Sequence, residues 1–294
     1  MVMNQSGILD NLPTHARSLE FVMKPGKDPR TTLSRLSQEF PGMDTIVGLG
    51  PALLLFMGQP VPGLHAFPSM SGPGCNVVST QADLWILIRN TDQGTITRQG
   101  RALETMLAGA FVCIRRLDCF KYAAGLDLTG YEDGTENPVG EEALAAAIVQ
   151  NQEKGLHGSS FVSVQQWLHD LTHFHGMHQK AQDDIIGRRK SDNGEIEDAP
   201  HSAHVKRTAQ ESYNPPAFLV RRSMPWIDTS GEGLLFIAFS RSLNAFDAML
   251  KRMTGQEDGI VDALFQFTRP VTGGHYWCPP VDAHGRLNLI AAGL

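Results

Sequence analysis

Cysteine is scarce in this chain. Cys75, Cys113, Cys119 and Cys278 are spread over 294 residues and none forms a CxxC pair. That excludes a zinc knuckle, a thioredoxin-like motif and a disulfide scaffold, and leaves reduced, mostly buried thiols of a cytoplasmic protein as the expectation. Positive charge is also short: 25 Lys and Arg stand against 31 Asp and Glu, a formal charge of -6. A nucleic-acid partner needs a clustered basic surface, and the pairs and triplets at 115–116, 188–190 and 221–222 are too small to build one. No run approaches the ~20 apolar residues that cross a bilayer. The opening residues MVMNQSGILDNLPTHARSLEF lack the basic head and apolar stretch of a secretory signal. No membrane association and a cytoplasmic location are expected.

What is present is a globular composition, 41% hydrophobic and 19% charged, long enough for one large core or two modest domains. Hydrophobic periodicity predicts strands over 17–23, 44–49, 83–89 and 110–118, with helices over 31–39 and 96–107 between them. The second half repeats the rhythm: strands over 160–167, 217–223 and 233–239, a polar helix over 178–186 and another helix over 243–253. A last strand-like run, 263–268, precedes a Pro/Gly-rich tail. Short turns between strands favour antiparallel sheets carrying helices on one face. The expected fold class is therefore α+β: two ferredoxin-like modules, 1–138 and 159–294, joined by a connection at 139–158. The halves match too weakly in sequence to count as a repeat.

Four segments are candidates for chemistry. In Gly130-Tyr-Glu-Asp-Gly-Thr-Glu-Asn-Pro138, two glycines bracket Glu132 and Asp133, so the backbone can approach a ligand and aim a carboxylate into a cavity. A surface turn with two solvated acids is an equal reading. In His201-Ser-Ala-His204, either imidazole suits an axial iron position on spacing alone. Around Arg221-Arg222-Ser223, strand alternation puts Arg221 and Ser223 on one face, where a guanidinium would stabilise developing anionic oxygen. The histidines at 169, 173, 175 and 178 fit a solvated surface segment better than a metal site, although His169 and His173 have helical i, i+4 spacing.

Taken in order, these segments resemble the dye-decolourising peroxidases, in particular their bacterial B-type branch. Gly130 to Gly134 matches the family's GxxDG signature, and Thr135 to Pro138 resembles its longer B-type form. The runs Ile186 to Lys190, Ala203 to Val205, Arg221 with Ser223, and Phe267 to Gly273 resemble further family segments, nearly end to end. The resemblance implies haem b between the two modules, with His204 rather than His201 on the iron. Gly134, Thr135, Arg207 and Gln266 are implied as further cofactor contacts. It also implies Asp133 as proton shuttle, Arg221 as stabiliser of anionic oxygen, and Ser223 as an orienting group. Gln266 stands where many B-type members carry an acid to bond the proximal histidine, and Asp262 is the alternative partner. Ser223 replaces the asparagine of the usual B-type pattern.

The implied partners are hydrogen peroxide and small aromatic or dye reductants, with a homo-oligomer, dimeric or higher, expected. Two alternatives are a haem-binding or iron-handling protein with incidental peroxidase activity and a chlorite dismutase-like enzyme. Trp226 and Trp277, with Tyr276, are candidates for passing electrons from bulky dyes at the surface, though ordinary half-buried aromatics are the plainer reading.

Overall fold

The computed structural model describes residues 3–150 and 155–294. In the first half, six strands form: β1 (His15–Met23), β2 (Thr45–Leu49), the small hairpin β3 (Met70–Gly72) and β4 (Cys75–Val77), β5 (Leu84–Asn90) and β6 (Phe111–Phe120). They alternate with α1 (Arg30–Glu39), α2 (Pro51–Phe56) and α3 (Gln93–Leu107). α3 starts where the Asp92 carboxylate accepts from the Thr95 amide at 2.7 Å, satisfying one of the free donors of the first turn. α2 starts on Pro51, whose missing N–H has no helical partner to lose.

After α4 (Gly140–Ala147), the chain continues through β7 (Ser160–His169), α5 (Leu171–Gly176), α6 (Gln179–Ile186) and α7 (His204–Thr208). It ends with β8 (Val220–Arg221), β9 (Met224–Asp228), β10 (Gly231–Ser240), α8 (Asn244–Met253), β11 (Thr268–Pro270) and β12 (Gly274–Cys278). α4 lies in the connection expected over 139–158, of which 151–154 fall outside the described residues.

The large sheet runs β11-β7-β12-β2-β5-β1-β6-β9-β10-β8, and an additional β7–β10 pairing closes eight of these strands into a barrel. Its pairings are antiparallel. Within the barrel, β2-β5-β1-β6 and β9-β10-β7-β12 share one order: second, third, first and fourth strand of each half. That is the ferredoxin-like arrangement, so the fold is α+β with two such units in one sheet. Each unit's fourth strand pairs with the other's second, β6 with β9 and β12 with β2.

Alternation along β5 shows how this closure uses the sequence. Leu84, Ile86 and Ile88 pack with Leu33 and Leu36 of α1 and Leu103 and Leu107 of α3, while Trp85 and Leu87 join Val164, Trp226, Ile237 and Tyr276 in the second cluster. A strand buried on both faces reads as a continuous apolar run, which is why 83–89 is the plainest strand in the sequence. α8 buries Phe246, Met249, Leu250 and Met253, at helical spacing, against the outer side of the second unit. Each such side chain contributes roughly 1.5–3 kcal/mol.

Two expected strands differ. The run 217–223 pairs only at Val220 and Arg221, because β9 occupies Gly231 to Leu235 on that edge of β10 and leaves β8 only Ala238 and Phe239. The run 263–268 opens as a 3-10 turn over Ala263–Gln266, where the Asp262 side chain accepts from the Leu264 amide at 2.9 Å and replaces a ladder bond. Conversely, the Gly-rich tail contains β12, buried along its whole length. His169 ends β7 and His173 lies in α5, so the two do not share a helical face.

Candidate active site

A cavity is lined by the 127–136 loop, β7, β10, α7 and α8, and encloses about 1450 Å³ of empty space, counting its open mouth. Its walls are mostly apolar, with Trp167, Phe236, Phe246, Met249, Leu264 and Phe267 among them.

The glycines of the 130–134 turn set its polar rim. Gly130 and Gly134 have φ of 86° and 81°, a region that residues with a Cβ enter only under strain. A Cβ on Gly134 would also meet Asn137 Nδ2 at 2.8 Å. The turn brings Asn137 against the β8 backbone: Arg221 N donates to Asn137 Oδ1 (2.8 Å), and Asn137 Nδ2 donates to Arg221 O (3.0 Å). Asn137 thus grips Arg221 as a neighbouring strand would. Asp133 Oδ1 lies 3.7 Å from Arg221 Nη1, an ion pair too long for a hydrogen bond. Arg221 Nε is buried without a hydrogen-bond partner among the described residues.

His204 opens α7 and lines the same cavity. Its Nδ1 meets Asp262 Oδ2 at 2.8 Å, and the Asp262 side chain is 0% exposed. A carboxylate only accepts, so in the neutral ring Nδ1 carries the hydrogen and Nε2 the lone pair. Asp262 is itself fixed through the Leu264 amide on Oδ1 and its own N–H on Met253 O (2.8 Å). Ala263 N donates to Ser202 O (2.8 Å), tying the two segments together. His201 is exposed and does not line the cavity.

A second, more polar cavity of about 800 Å³, again counting open space, adjoins the first. The two share Asp133, Gly134, Arg221 and Leu234, and His204 belongs to the first alone. Asp133 and Arg221 therefore stand at the partition between the cavities. Ser223 lines the second, its Oγ buried and without a hydrogen-bond partner among the described residues.

Other expected site residues fall differently. Thr135 lines the first cavity, and its Oγ1 accepts from Asn193 Nδ2 at 2.9 Å. Gln266 is exposed and lines neither cavity; the turn that Asp262 caps carries it away, and Asp262 takes the histidine. Arg207 also lines neither. It is buried in a bidentate pair with Asp258 (2.7 and 2.8 Å) and donates to Arg252 O, which makes it a brace between α7 and the end of α8. Trp226, Tyr276 and Trp277 are buried in the core, with Trp226 Nε1 bonded to Trp167 O (3.0 Å), so none offers a surface to a dye.

Three lining residues escaped the sequence reading of the site. Arg188, next to Gly187, is paired with Glu136 and Glu195. His169, at the end of β7, holds Asp127 (3.2 Å) and Thr268 (2.5 Å). Burial alone would raise the Asp127 carboxyl, but the His169 bond and charge, with bonds from Thr129, hold it below its usual range. Two signals pointed this way: Arg188 within the Ile186 to Lys190 run, and an apolar strand ending in histidine.

Residues 124–283 match the family model described as Dyp-type peroxidase, C-terminal. The chain is 31% identical over 234 residues to the dye-decolorizing peroxidase of Mycolicibacterium paratuberculosis, covering 78% of this chain and 66% of that protein, just under two thirds of its length. A dye-decolorizing protein from V. cholerae matches with 27% identity and a TM-score of 0.85, over 98% of each chain. A variant of Rhodococcus jostii RHA1 DypB, in complex with heme, matches with 25% identity and a TM-score of 0.86, over 96% of this chain and 97% of that one. The chain therefore belongs to the DyP-type peroxidase family, a family of peroxide-dependent oxidoreductases. Among the described residues, no helix is long and apolar enough to cross a membrane.

Proposed function

We propose that this chain is a haem b peroxidase that reduces hydrogen peroxide with electrons from dyes, phenols or similar one-electron donors. The supporting observation is the layout of the first cavity, in which His204, backed by Asp262, and the Asp133–Arg221 pair line one apolar space while only the latter pair borders the second cavity. The residues suit haem. His204 Nε2 has no hydrogen-bond partner among the described residues and lines the cavity, so it would be free to hold the haem iron. Asp262 on the other nitrogen fixes the ring and raises its basicity. The apolar walls match the macrocycle, and Arg188 and Arg221 are the two arginines on the lining, suited to the propionates or to other anionic oxygen.

When bound, haem supplies the iron that accepts electrons from the donor and passes them to peroxide. The protein manages protons and charge. Peroxide reduction to two waters consumes two protons and two electrons, and one proton must move from one peroxide oxygen to the other. Asp133 Oδ1 accepts that proton and returns it. Arg221, already short of a partner at Nε, stabilises the anionic oxygen formed in between. Ser223 Oγ, from the second cavity, is free to order the water or peroxide approaching Asp133. The second cavity, bordered by Asp133 and Arg221, is the polar entry for peroxide.

The test is peroxide-dependent oxidation of an anthraquinone dye and a small phenol by the haem-reconstituted protein. Turnover well above an equal amount of free haem supports the reading. Haem uptake with turnover no higher than free haem would favour an iron-handling role.

A further inference from the structure

Away from the cavity, three groups from distant parts of the chain converge. His65 lies in the loop after α2, Asp247 in the first turn of α8, and His275 in β12. Their ligand atoms all lie within 4.8 Å of one another. Asp247 Oδ2 is 2.9 Å from His65 Nε2, and Oδ1 is 3.8 Å from His275 Nε2. A tetrahedral zinc with bonds of about 2.0–2.1 Å needs ligands roughly 3.3 Å apart. The two separations straddle that value.

The unmet polar atoms point to a missing ligand. The His275 side chain is 0% exposed, yet neither ring nitrogen has a hydrogen-bond partner among the described residues, and Asp247 Oδ1 is likewise buried and unpartnered. Buried polar groups left unsatisfied are costly, so the facing pair of His275 Nε2 and Asp247 Oδ1 calls for an occupant. The surroundings are apolar, with the Phe67 and Phe246 rings 4.7 and 5.7 Å from the His275 ring.

The frame is also preorganised. Gln81 accepts from His275 N (2.8 Å) and Phe67 N (3.0 Å) and donates to His275 O (2.8 Å), which locks β12 to the His65 loop. His65 Nδ1 meets Ala66 O at 3.0 Å, which leaves Nε2 as the ligating nitrogen.

We propose that His65, Asp247 and His275 form a site for a divalent transition cation of the zinc class, with His65, half exposed, marking its open side. Two imidazoles and one carboxylate select zinc and its neighbours over calcium or magnesium, which take oxygen ligands. The cation ties the 58–69 loop to α8 and β12, one residue from Phe246 on the cavity wall.

The experiment is equilibrium dialysis of the chelator-treated holoenzyme against micromolar zinc sulfate, with metal analysis and a melting curve at each zinc level. The wild type should retain one zinc per chain, and its melting temperature should rise with zinc. His65→Ala, at an exposed position, should weaken retention by at least roughly 100-fold, since even outer-shell partners are worth about 10–100-fold. Asp247→Asn and His275→Phe should behave alike, the second filling the space with a ring suited to its aromatic neighbours. Zinc retained equally by wild type and His65→Ala would place binding elsewhere, for instance on the exposed His173, His175 and His178. That outcome, or no zinc retained by the wild type, overturns the proposal.

Discussion

Replacing Asp262 with asparagine tests the link between the protein scaffold and the histidine it orients. The carboxylate is fully buried, 2.8 Å from His204 Nδ1, and its other oxygen caps the turn at Leu264. Asparagine is close in size and its carbonyl can keep the cap, so the fold should persist. What changes is the group facing Nδ1. A charge-assisted bond worth about 1.5–3 kcal/mol is lost. If the amide N–H turns toward Nδ1, the imidazole hydrogen is driven to Nε2, the nitrogen proposed to ligate. The same loss expressed as affinity is about 10–100-fold, the usual effect of an outer-shell change at a metal-binding histidine. Titration of the apoprotein with haemin, followed at the Soret band, gives the affinity, and a melting curve of the apoprotein checks the fold. Gln266→Ala is the control and should bind haem as the wild type does. Wild-type affinity in Asp262→Asn, or an equal loss in Gln266→Ala, would refute the assignment of Asp262 as the histidine's partner.

Arg221→Leu should take up haem but reduce peroxide about 10²–10³-fold more slowly, the usual effect of removing a donor to developing anionic oxygen; stopped-flow peroxide consumption is the measurement, and an unchanged rate removes Arg221 from the chemistry. Asp133→Asn should slow the same step by a smaller factor, because water can relay the proton; a larger loss than in Arg221→Leu would reverse their ranking. Asp127→Asn should lower stability at neutral pH. The Asp127 carboxyl is held below its ordinary 3.8 in the folded chain, so its contribution is present above that value and is lost as pH falls through the lower folded pKa. Denaturant curves should therefore show a constant gap from wild type above about pH 5 that closes in stronger acid; a gap that widens in acid contradicts the sign.

The parts of the fold legible in the sequence are those where local pattern and tertiary role agree. Leu84 to Arg89 reads as a strand because both of its faces are buried, and Leu243 to Met253 reads as a helix because its apolar residues recur at 3.6 spacing. β12 is hidden in the sequence because Gly273, Gly274 and the nearby prolines look like a loop, whereas Gly274 leaves no room for a side chain beside Tyr276, whose hydroxyl would lie 2.5 Å from a Cβ there. The turn at 263–266 was misread for the opposite reason: its residues favour a strand, and one carboxylate at Asp262 overrides them. At the site, spacing brought out the 130–138 loop and Arg221 but could not separate His201 from His204. The family resemblance favours His204, and in the structure it is His204, not His201, that lines the cavity and meets Asp262. Arg188 and His169 were obscured because their neighbours, Arg189 and His173, are exposed residues of the same type.

The proposed binding of haem iron by His204 is tested by the Soret spectra of His204→Ala and His201→Ala. Both variants and the wild type would be purified, titrated with haemin and freed of excess. His201→Ala should bind haem with a wild-type spectrum, while His204→Ala should lose haem or give a shifted, weakly ligated spectrum. The opposite pattern, a wild-type spectrum for His204→Ala with loss in His201→Ala, would contradict it.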